Sequence, residues 1–516
     1  MRMRQEASTT RIWMTTFDAK LVIRSIVIAI AIGLKIQHGW AQRVAWFNLY
    51  PYGSGADIAV DMNQNVYVTG GCLTIKYTSL GVLEWLVNMG GICRECMEPS
   101  EAPKPMALIL RDNDALPNVY TTSGGYSRPF PPHYEDILTA SFDYYGQTRW
   151  VDLYSLYLCP DYLSPKSEAG HDVALTRPGL VCVTGHGFCA LCPPDGGGVD
   201  IVTLWYTPDG QLIKQRRFSR FANGHETGLA VFAGVNAEYV TGYSFGSDNC
   251  GPIDPPQHFI VTMKYPHAAG GSEWVRLYGP AVGDQAKAIG ADVAADIQGN
   301  VYVTGLFNSD LILIKYSNEG ELLWVFVYDR GGYDMGRAIR LDRNGDVLVA
   351  GVSENQEESI YEFLILKLSP EGRPLWILHH PSPYHYDNPY SGAHGLAIDI
   401  LNNAYVTGPG LTMKISPSGE LIWTTLPCGI AGGVAIAISP PESVYPAVYT
   451  TGDYTMKIIQ APGDVDGDGC VDDADLLLIL MHFGETVYCT SYDLNGDGVV
   501  DDADLIIVLF NFGQCF

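Results

Sequence analysis

Basic residues are scarce in this chain: Lys and Arg number 31 against 57 Asp and Glu, for a formal net charge of −26 over 516 residues. Phosphate backbones are held by clustered Lys and Arg, so this balance argues against a nucleic-acid partner. Long apolar runs are missing too. The one candidate, Ser25 to Leu34, is too short to cross a bilayer, and no stable membrane span is expected. No HExxH zinc helix and no phosphate-binding loop occurs, and no nucleophile elbow is expected. Apolar and aromatic residues, by contrast, make up 47% and 11% of the chain. That is enough to bury one large core and a small satellite, and it excludes a disordered protein.

The start reads as an export segment over residues 1–42: basic residues up to Arg24, the apolar run, then Gly39-Trp40-Ala41 as a small-residue cleavage site. Glu6 and Asp18 make the upstream part longer than a signal needs, which leaves Met14 as an alternative start and a retained anchor as an alternative reading. An extracellular or cell-surface location follows, and there the 12 Cys are expected to form disulfides. Cys93-x-x-Cys96 and Cys189-x-x-Cys192 fit a four-thiolate zinc site as the alternative. Cys470 and Cys515 are placed to clasp the two ends of the last segment.

That last segment, residues 461–516, holds two oxygen-rich loops 29 residues apart: Asp464-Val-Asp466-Gly-Asp468-Gly469-Cys470-Val-Asp472-Asp-Ala-Asp475 and Asp493-Leu-Asn495-Gly-Asp497-Gly498-Val499-Val-Asp501-Asp-Ala-Asp504. Positions 1, 3, 5, 9 and 12 offer carboxylate or amide oxygens, position 7 a backbone carbonyl (Cys470, Val499), and position 6 the Gly that turns the chain around an ion. Two Ca²⁺ ions are expected. Residues 463 to 516 contain eleven Asp and one Glu and no Lys or Arg, a balance that a bound cation explains. Behind each loop Leu476, Leu477, Ile479, Leu480 and Phe483 answer to Leu505, Ile506, Val508, Leu509 and Phe512, each set expected to mark one face of a helix. Pro462-Gly463 leaves no entering helix, so the unit is a loop followed by a helix (an F-hand), used twice.

Such duplicated units resemble the dockerin domain, which attaches exported proteins to a cohesin partner. The resemblance implies that Asp464, Asp466, Asp468, Asp472 and Asp475 hold one Ca²⁺ and Asp493, Asn495, Asp497, Asp501 and Asp504 the other. It also implies partner contacts at loop positions 10 and 11, here Asp473-Ala474 and Asp502-Ala503, whose identity permits two binding orientations. Helix positions often basic in the family hold Met481-His482 and Phe510-Asn511 instead. A calcium-stapled mini-domain that only caps the chain is the alternative.

Residues 43–460 repeat themselves. Ala288-Ile-Gly-Ala-Asp292, Asn300-Val-Tyr-Val-Thr-Gly305, Leu311 to Tyr316 and Gly320-Glu-Leu-Leu-Trp324 recur as Leu396-Ala-Ile-Asp399, Ala404-Tyr-Val-Thr-Gly408, Leu411 to Ile415 and Gly419-Glu-Leu-Ile-Trp423. Short runs between Asn, Gly and Ser-Pro turns are strands, four per repeat. The second-strand signature occurs eight times, around Tyr67, Tyr120, Cys182, Tyr239, Tyr302, Leu348, Tyr405 and Tyr449, the fourth only seven. Arg43 to Tyr50 supplies the missing strand, so an eight-bladed β-propeller closed by its N-terminal strand is expected. The pattern resembles the bacterial seven-bladed propeller (SBBP) repeat family, although the count here is eight.

First-to-second and third-to-fourth turns share one end of the ring and are tight; the other end carries Asn88 to Pro105, Tyr126 to His133, Tyr154 to Gly170, His186 to Gly198 and Tyr243 to Gln257. Long loops rich in Tyr, Phe and Pro on a rigid frame are where a protein or polysaccharide would bind; decorative loops held by their own cystines are the alternative. His171, His225 and His394 lie just ahead of first strands, with Asp172 and Glu226 beside two of them, in loops where they are expected to be solvated. No catalytic residue is assigned. The reading is an exported non-catalytic propeller with a calcium-dependent attachment module; the alternative is a glycoside hydrolase or lyase of polysaccharide catabolism with the same module.

Overall fold

The structure is a computed structural model. It describes residues 43–515 except 51–53, 71–72, 90–106, 112–116, 127–134, 156–167, 190–197, 222–223, 247–255, 268–270, 283–286, 384–388, 426–432, 440–445, 460–462, 466–469, 486–491, 493 and 495–498. The export segment therefore lies outside the described residues, as do most of the expected insertions and Cys93, Cys96 and Cys192.

The chain is mainly β. Its local logic is clearest in the unit Ala288–Ala295, Val301–Phe307, Asp310–Tyr316 and Leu322–Tyr328, a four-stranded antiparallel meander. Asp296 organises the first turn: its Oδ1 accepts the N–H groups of Gln298 at 3.0 Å and Asn300 at 2.8 Å, and its Oδ2 accepts Asn300 Nδ2 at 2.8 Å and the Tyr302 hydroxyl at 3.3 Å. Asp61 does the same for Asn63, Asn65 and Tyr67, and Asp399 for Leu401, Asn403 and Tyr405. One carboxylate thus ties a reversing loop to the buried Tyr of the next strand, satisfying backbone donors that the ladder leaves over.

Among the described residues there are six four-stranded sheets and one of eight strands. The larger sheet is two such meanders joined through a single parallel pairing, Val199 with His225. First strands pack on one another in chain order, from Asp57–Val60 through Ala107–Arg111, Ala169–Leu175, His225–Ala233, Ala288–Ala295, Asp334–Leu341 and Gly395–Ile398 to Gly433–Ser439. Gly433–Ser439 then packs on Asp57–Val60, so the order of contacts returns to its start. The junction is hydrogen-bonded: Gly55 N donates to the Gly452 carbonyl at 2.7 Å and Tyr50 N to Asp453 at 2.8 Å. Arg43–Leu49 runs antiparallel along Tyr454–Ile459 as the outer strand of the last sheet.

The recurrent Trp is the clasp between neighbouring units. Trp85 Nε1 donates to the Tyr144 carbonyl, Trp150 to Pro208, Trp274 to Asn318, Trp324 to Pro370 and Trp376 to Pro417, each at 2.9 to 3.0 Å and each reaching a turn of the following unit. Trp46, on the N-terminal strand, makes the same bond to Ser79 at 3.0 Å in the first unit. Its ring lies against Gly81, where φ is +78° and a Cβ would stand 2.5 Å from the indole. Both the left-handed backbone and the close approach demand glycine there.

Two expected insertions begin later than the sequence pattern indicates. Val181–Cys189 and Ala237–Gly246 carry their second strands past His186 and Tyr243, because the ladder continues through Cys189 with Gly198 and Gly246 with Gln257. Cys182 is buried and is a free thiol.

Candidate functional site

In residues 463–515 the helices Asp473–Met481 and Asp502–Asn511 each start at position 10 of a twelve-residue loop, earlier than the expected start behind it. Asp472 and Asp501 are their N-caps, accepting the N–H groups of Ala474 and Ala503 at 2.8 Å, with Asp475 and Asp504 completing capping boxes. Asp475 Oδ2 accepts Asp472 N at 2.8 Å and its Oδ1 accepts Val465 N; Asp504 takes Asp501 N at 2.9 Å and Leu494 N at 2.5 Å. The twelfth residue of each loop therefore closes the loop on itself as well as starting the helix, a role the spacing alone does not reveal.

Of the expected ligands, Asp464, Cys470, Asp472, Asp475, Val499, Asp501 and Asp504 are described; Asp466, Asp468, Asp493, Asn495 and Asp497 lie outside the described residues. Among the described residues no group of three or more His, Cys, Asp or Glu side chains is gathered as a metal site. The donor set nonetheless fits a hard cation. Asp464, Asp475 and Asp504 are buried, at 2%, 0% and 0% exposure, in a segment with no Lys or Arg. Burying carboxylates is costly without a positive charge, and oxygen donors suit calcium.

The two halves are joined symmetrically. Val500 N donates to Glu485 O at 3.0 Å and Gly484 N to Val500 O at 2.7 Å, while Val471 N donates to Gln514 O and Gly513 N to Val471 O, both at 2.7 Å. The Cys470–Cys515 disulfide lies beside the second of these junctions, with Val499 at the position equivalent to Cys470 in the other loop. Val465, Val471, Ile479, Leu494, Val500 and Val508 form the core between them.

The apolar helix residues do not form a single face, contrary to the periodicity reading. Ile479 and Val508 are buried, whereas Leu477 and Leu480 are 57% and 51% exposed and Ile506 and Leu509 48% and 53%. Two short helices have only one side against the shared core, so the second side of each is left outward. Met481 and Phe510 extend that side, at 67% and 82% exposure. Asp473, Ala474, Asp502 and Ala503 are exposed at the head of each helix.

His171 and His394 are less solvated than expected, whereas His225 is exposed. His171 lies within Ala169–Leu175, its Nε2 2.6 Å from Nδ1 of His186, and His186 lies 6.3 Å ring to ring from His225. Burial, then the neighbouring His186 and His225, hold the His171 pKa well below the usual value. His186, which the sequence reading placed at the start of an insertion and not among the candidate residues, ends up here because the ladder carries its strand past the Val-Thr-Gly signature. The neighbouring acids turn elsewhere. Asp172 accepts Val173 N and Val231 N, each at 2.8 Å, and burial raises its pKa to about 8. Glu226 accepts the Ser244 hydroxyl at 2.9 Å and is likewise raised to about 8 by burial. Gly242-Tyr-Ser244-Phe-Gly246 does have the letters of a nucleophile elbow, but it lies inside the strand Ala237–Gly246 rather than at a strand-to-helix turn. His394 faces Arg337 and the Tyr390 carbonyl, each at 2.9 Å.

Among the described residues no helix is long and apolar enough to cross a membrane.

No curated protein sequence matches the chain. Solved structures similar to it include the WD40 domain of Neurospora crassa Pan2, at 10% identity and a TM-score of 0.39, covering 83% of this chain and 97% of that one. A eukaryotic initiation factor follows at 9% identity and 0.37, covering 82% and 94%. A protein of unknown function from Bacteroides caccae stands at 11% and 0.28, covering 58% and 96%. At these scores the likenesses carry no argument. The family models are more specific: the Dockerin type I domain matches residues 462–509, and the Beta-propeller repeat matches residues 273–312. Dockerin type I domains bind calcium and imply a cohesin partner, and proteins bearing them are generally extracellular or attached at the cell surface. The chain thus carries a dockerin type I domain at its C-terminal end and a β-propeller repeat in its body.

Proposed function

We propose that this is a secreted, non-catalytic β-propeller of eight blades, residues 43–460, tethered through a two-calcium dockerin module, residues 461–516, to a cohesin partner. The observation that carries it is the paired loop-helix module, with buried carboxylates, no Lys or Arg and a dockerin type I match. Eight blades are supported by the cyclic order of first-strand packing and by Trp46 repeating, toward the first unit, the bond every other described clasp makes forward. Two ions are supported by the 29-residue repeat of the loops. Asp464, Asp466, Asp468, Asp472, Asp475 and the Cys470 carbonyl serve the first ion; Asp493, Asn495, Asp497, Asp501, Asp504 and the Val499 carbonyl serve the second.

The docking surface would be Asp473-Ala474 and Asp502-Ala503 together with the outward Leu477, Leu480, Met481, Ile506, Leu509 and Phe510. With apolar residues where charges are common, burial rather than ion pairing supplies most of the attraction. The propeller end bearing the long loops would hold a protein or polysaccharide. A non-catalytic reading is supported by Asp172 and Asp292, which are committed to backbone N–H groups of the following first strands, Val231 at 2.8 Å and Ile339 at 2.9 Å.

The test is retention of the full chain on immobilised cohesin domains of several types in calcium and its release by chelator. Release on chelation, and loss in Asp464→Ala with Asp493→Ala, is expected. Indifference to calcium, or failure to bind any cohesin, would count against the module's assignment. Hydrolysis of a polysaccharide that His171→Ala or His394→Ala abolishes would replace the non-catalytic reading.

A further inference from the structure

Arg337 stands one residue after the glycine of its first strand, Asp334–Leu341, where the pairing register slips between Gly336 and Ala338. A bulge leaves that residue out of the ladder and re-aims its side chain. Here the side chain reaches the segment before the next first strand. Nη1 donates to the Ala393 carbonyl at 3.4 Å and meets His394 Nε2 at 2.9 Å, and Nη2 donates to the Pro389 carbonyl. The Tyr390 ring lies alongside, its centroid 5.9 Å from Cζ, and Tyr390 is 51% exposed.

This guanidinium has no acid partner among the described residues. The described groups that bear on it are the phenols of Tyr333 and Tyr390, and burial pulls its pKa down to about 10. His394 does not help: burial first, then Arg337, lower its pKa to about 3, so it is a neutral ring beside the cation. Guanidinium stays charged in proteins, and a sequestered charge without a counter-ion is costly. Nε has no acceptor among the described residues, and one Nη2 hydrogen remains beyond the Pro389 bond. Two N–H groups of one guanidinium form the fork that grips a carboxylate at two points.

We propose that Arg337 and Tyr390 form a uronate subsite: the carboxylate of an acidic sugar on the free N–H groups of Arg337, its ring against the exposed Tyr390. The proposal rests on the reading that the long-loop end binds polysaccharide, since the approach to a first strand opens on that end, and it narrows the ligand to sugars carrying a carboxylate.

The experiment is calorimetric titration of the full chain with oligogalacturonate, with the same oligomer methyl-esterified, and with a neutral glucan oligomer. It is run at about 0.15 M salt, where a Debye length of about 8 Å screens the acidic surface. Losing a charge-assisted contact of roughly 1.5 to 3 kcal/mol corresponds to about ten- to hundredfold in affinity. R337Q should lose that much for oligogalacturonate, and R337K, which keeps the charge but not the fork, should lose part. Y390A should weaken acid and ester alike. R373Q, on a tight turn of the same sheet, and D387N should bind as the parent does. Melting curves of the variants show whether each remains folded. Equal binding of acid and ester, parental affinity in R337Q and R337K, or loss of binding in D387N comparable to R337Q overturns the subsite. Binding of neutral glucan without preference for uronate overturns it while leaving the polysaccharide reading intact, and binding of none of the three removes both.

Discussion

Trp46 is joined to the first unit by one hydrogen bond and by the face of an indole laid on Gly81. Removing it deletes both, and large-to-small aromatic changes in packed sites cost about 3 to 5 kcal/mol. Trp46→Ala should therefore lower the unfolding free energy by an amount of that order, seen as a lower urea midpoint; an unchanged midpoint would show that the N-terminal strand is not clasped. Gly81→Ala should cost about 1 to 2 kcal/mol from its positive φ alone, and more because its Cβ meets the ring. His394 makes a separate prediction. Its folded pKa, lowered to about 3, lies below the ordinary 6.5, so the unfolded chain takes up a proton first as pH falls. The stability it contributes is full above pH 6.5 and is lost as pH drops toward 3. In His394→Gln that part of the acid sensitivity should disappear from melts followed between pH 7 and 4.

The helices and strands show what a pattern of residues determines and what it leaves open. In the Asp-x-x-x-Asn-x-Tyr spelling at Asp61, Asp296 and Asp399 one carboxylate serves neighbours four and six residues on, whereas the repeat as read from the sequence set Asp399 opposite Asp292. In the module the helices were legible from the apolar residues behind each loop, but their starts were not, because the caps Asp472 and Asp501 lie inside the loops. The split of Leu477 and Leu480 from Ile479 was not, because which side of an apolar helix is covered depends on what packs against it. The extensions to Cys189 and Gly246 were hidden likewise, as ladder length depends on the partner strand. The disulfide joins residues 45 apart, and loop-closure entropy for that span is worth about 4 kcal/mol. Cys470→Ser with Cys515→Ser should lower the module's melting temperature in calcium while leaving that of the β body unchanged. A single common shift would mean that the two unfold as one unit.

At the scale of the whole chain the pairing of the two ends was legible: a count of strand signatures left one strand short at the end and one over at the start, and Arg43–Leu49 pairs with Tyr454–Ile459. The packing of Gly433–Ser439 on Asp57–Val60 agrees with that arithmetic. The end bearing the long loops was not legible to the same degree: its insertions depart from the repeat, and the repeat is what carries information from one unit to the next. Deletion of residues 43–50 should expose the edge of Tyr454–Ile459, and the product should aggregate or lose cooperative unfolding, as an unpaired strand invites both. Attachment is the central claim, and it depends on calcium. The direct measurement is equilibrium calcium binding to the full chain by titration calorimetry, beside Asp464→Ala with Asp493→Ala. The account predicts two ions per chain, both lost in the double variant. Calcium binding that is absent from the parent, or that survives the double substitution unchanged, would contradict it.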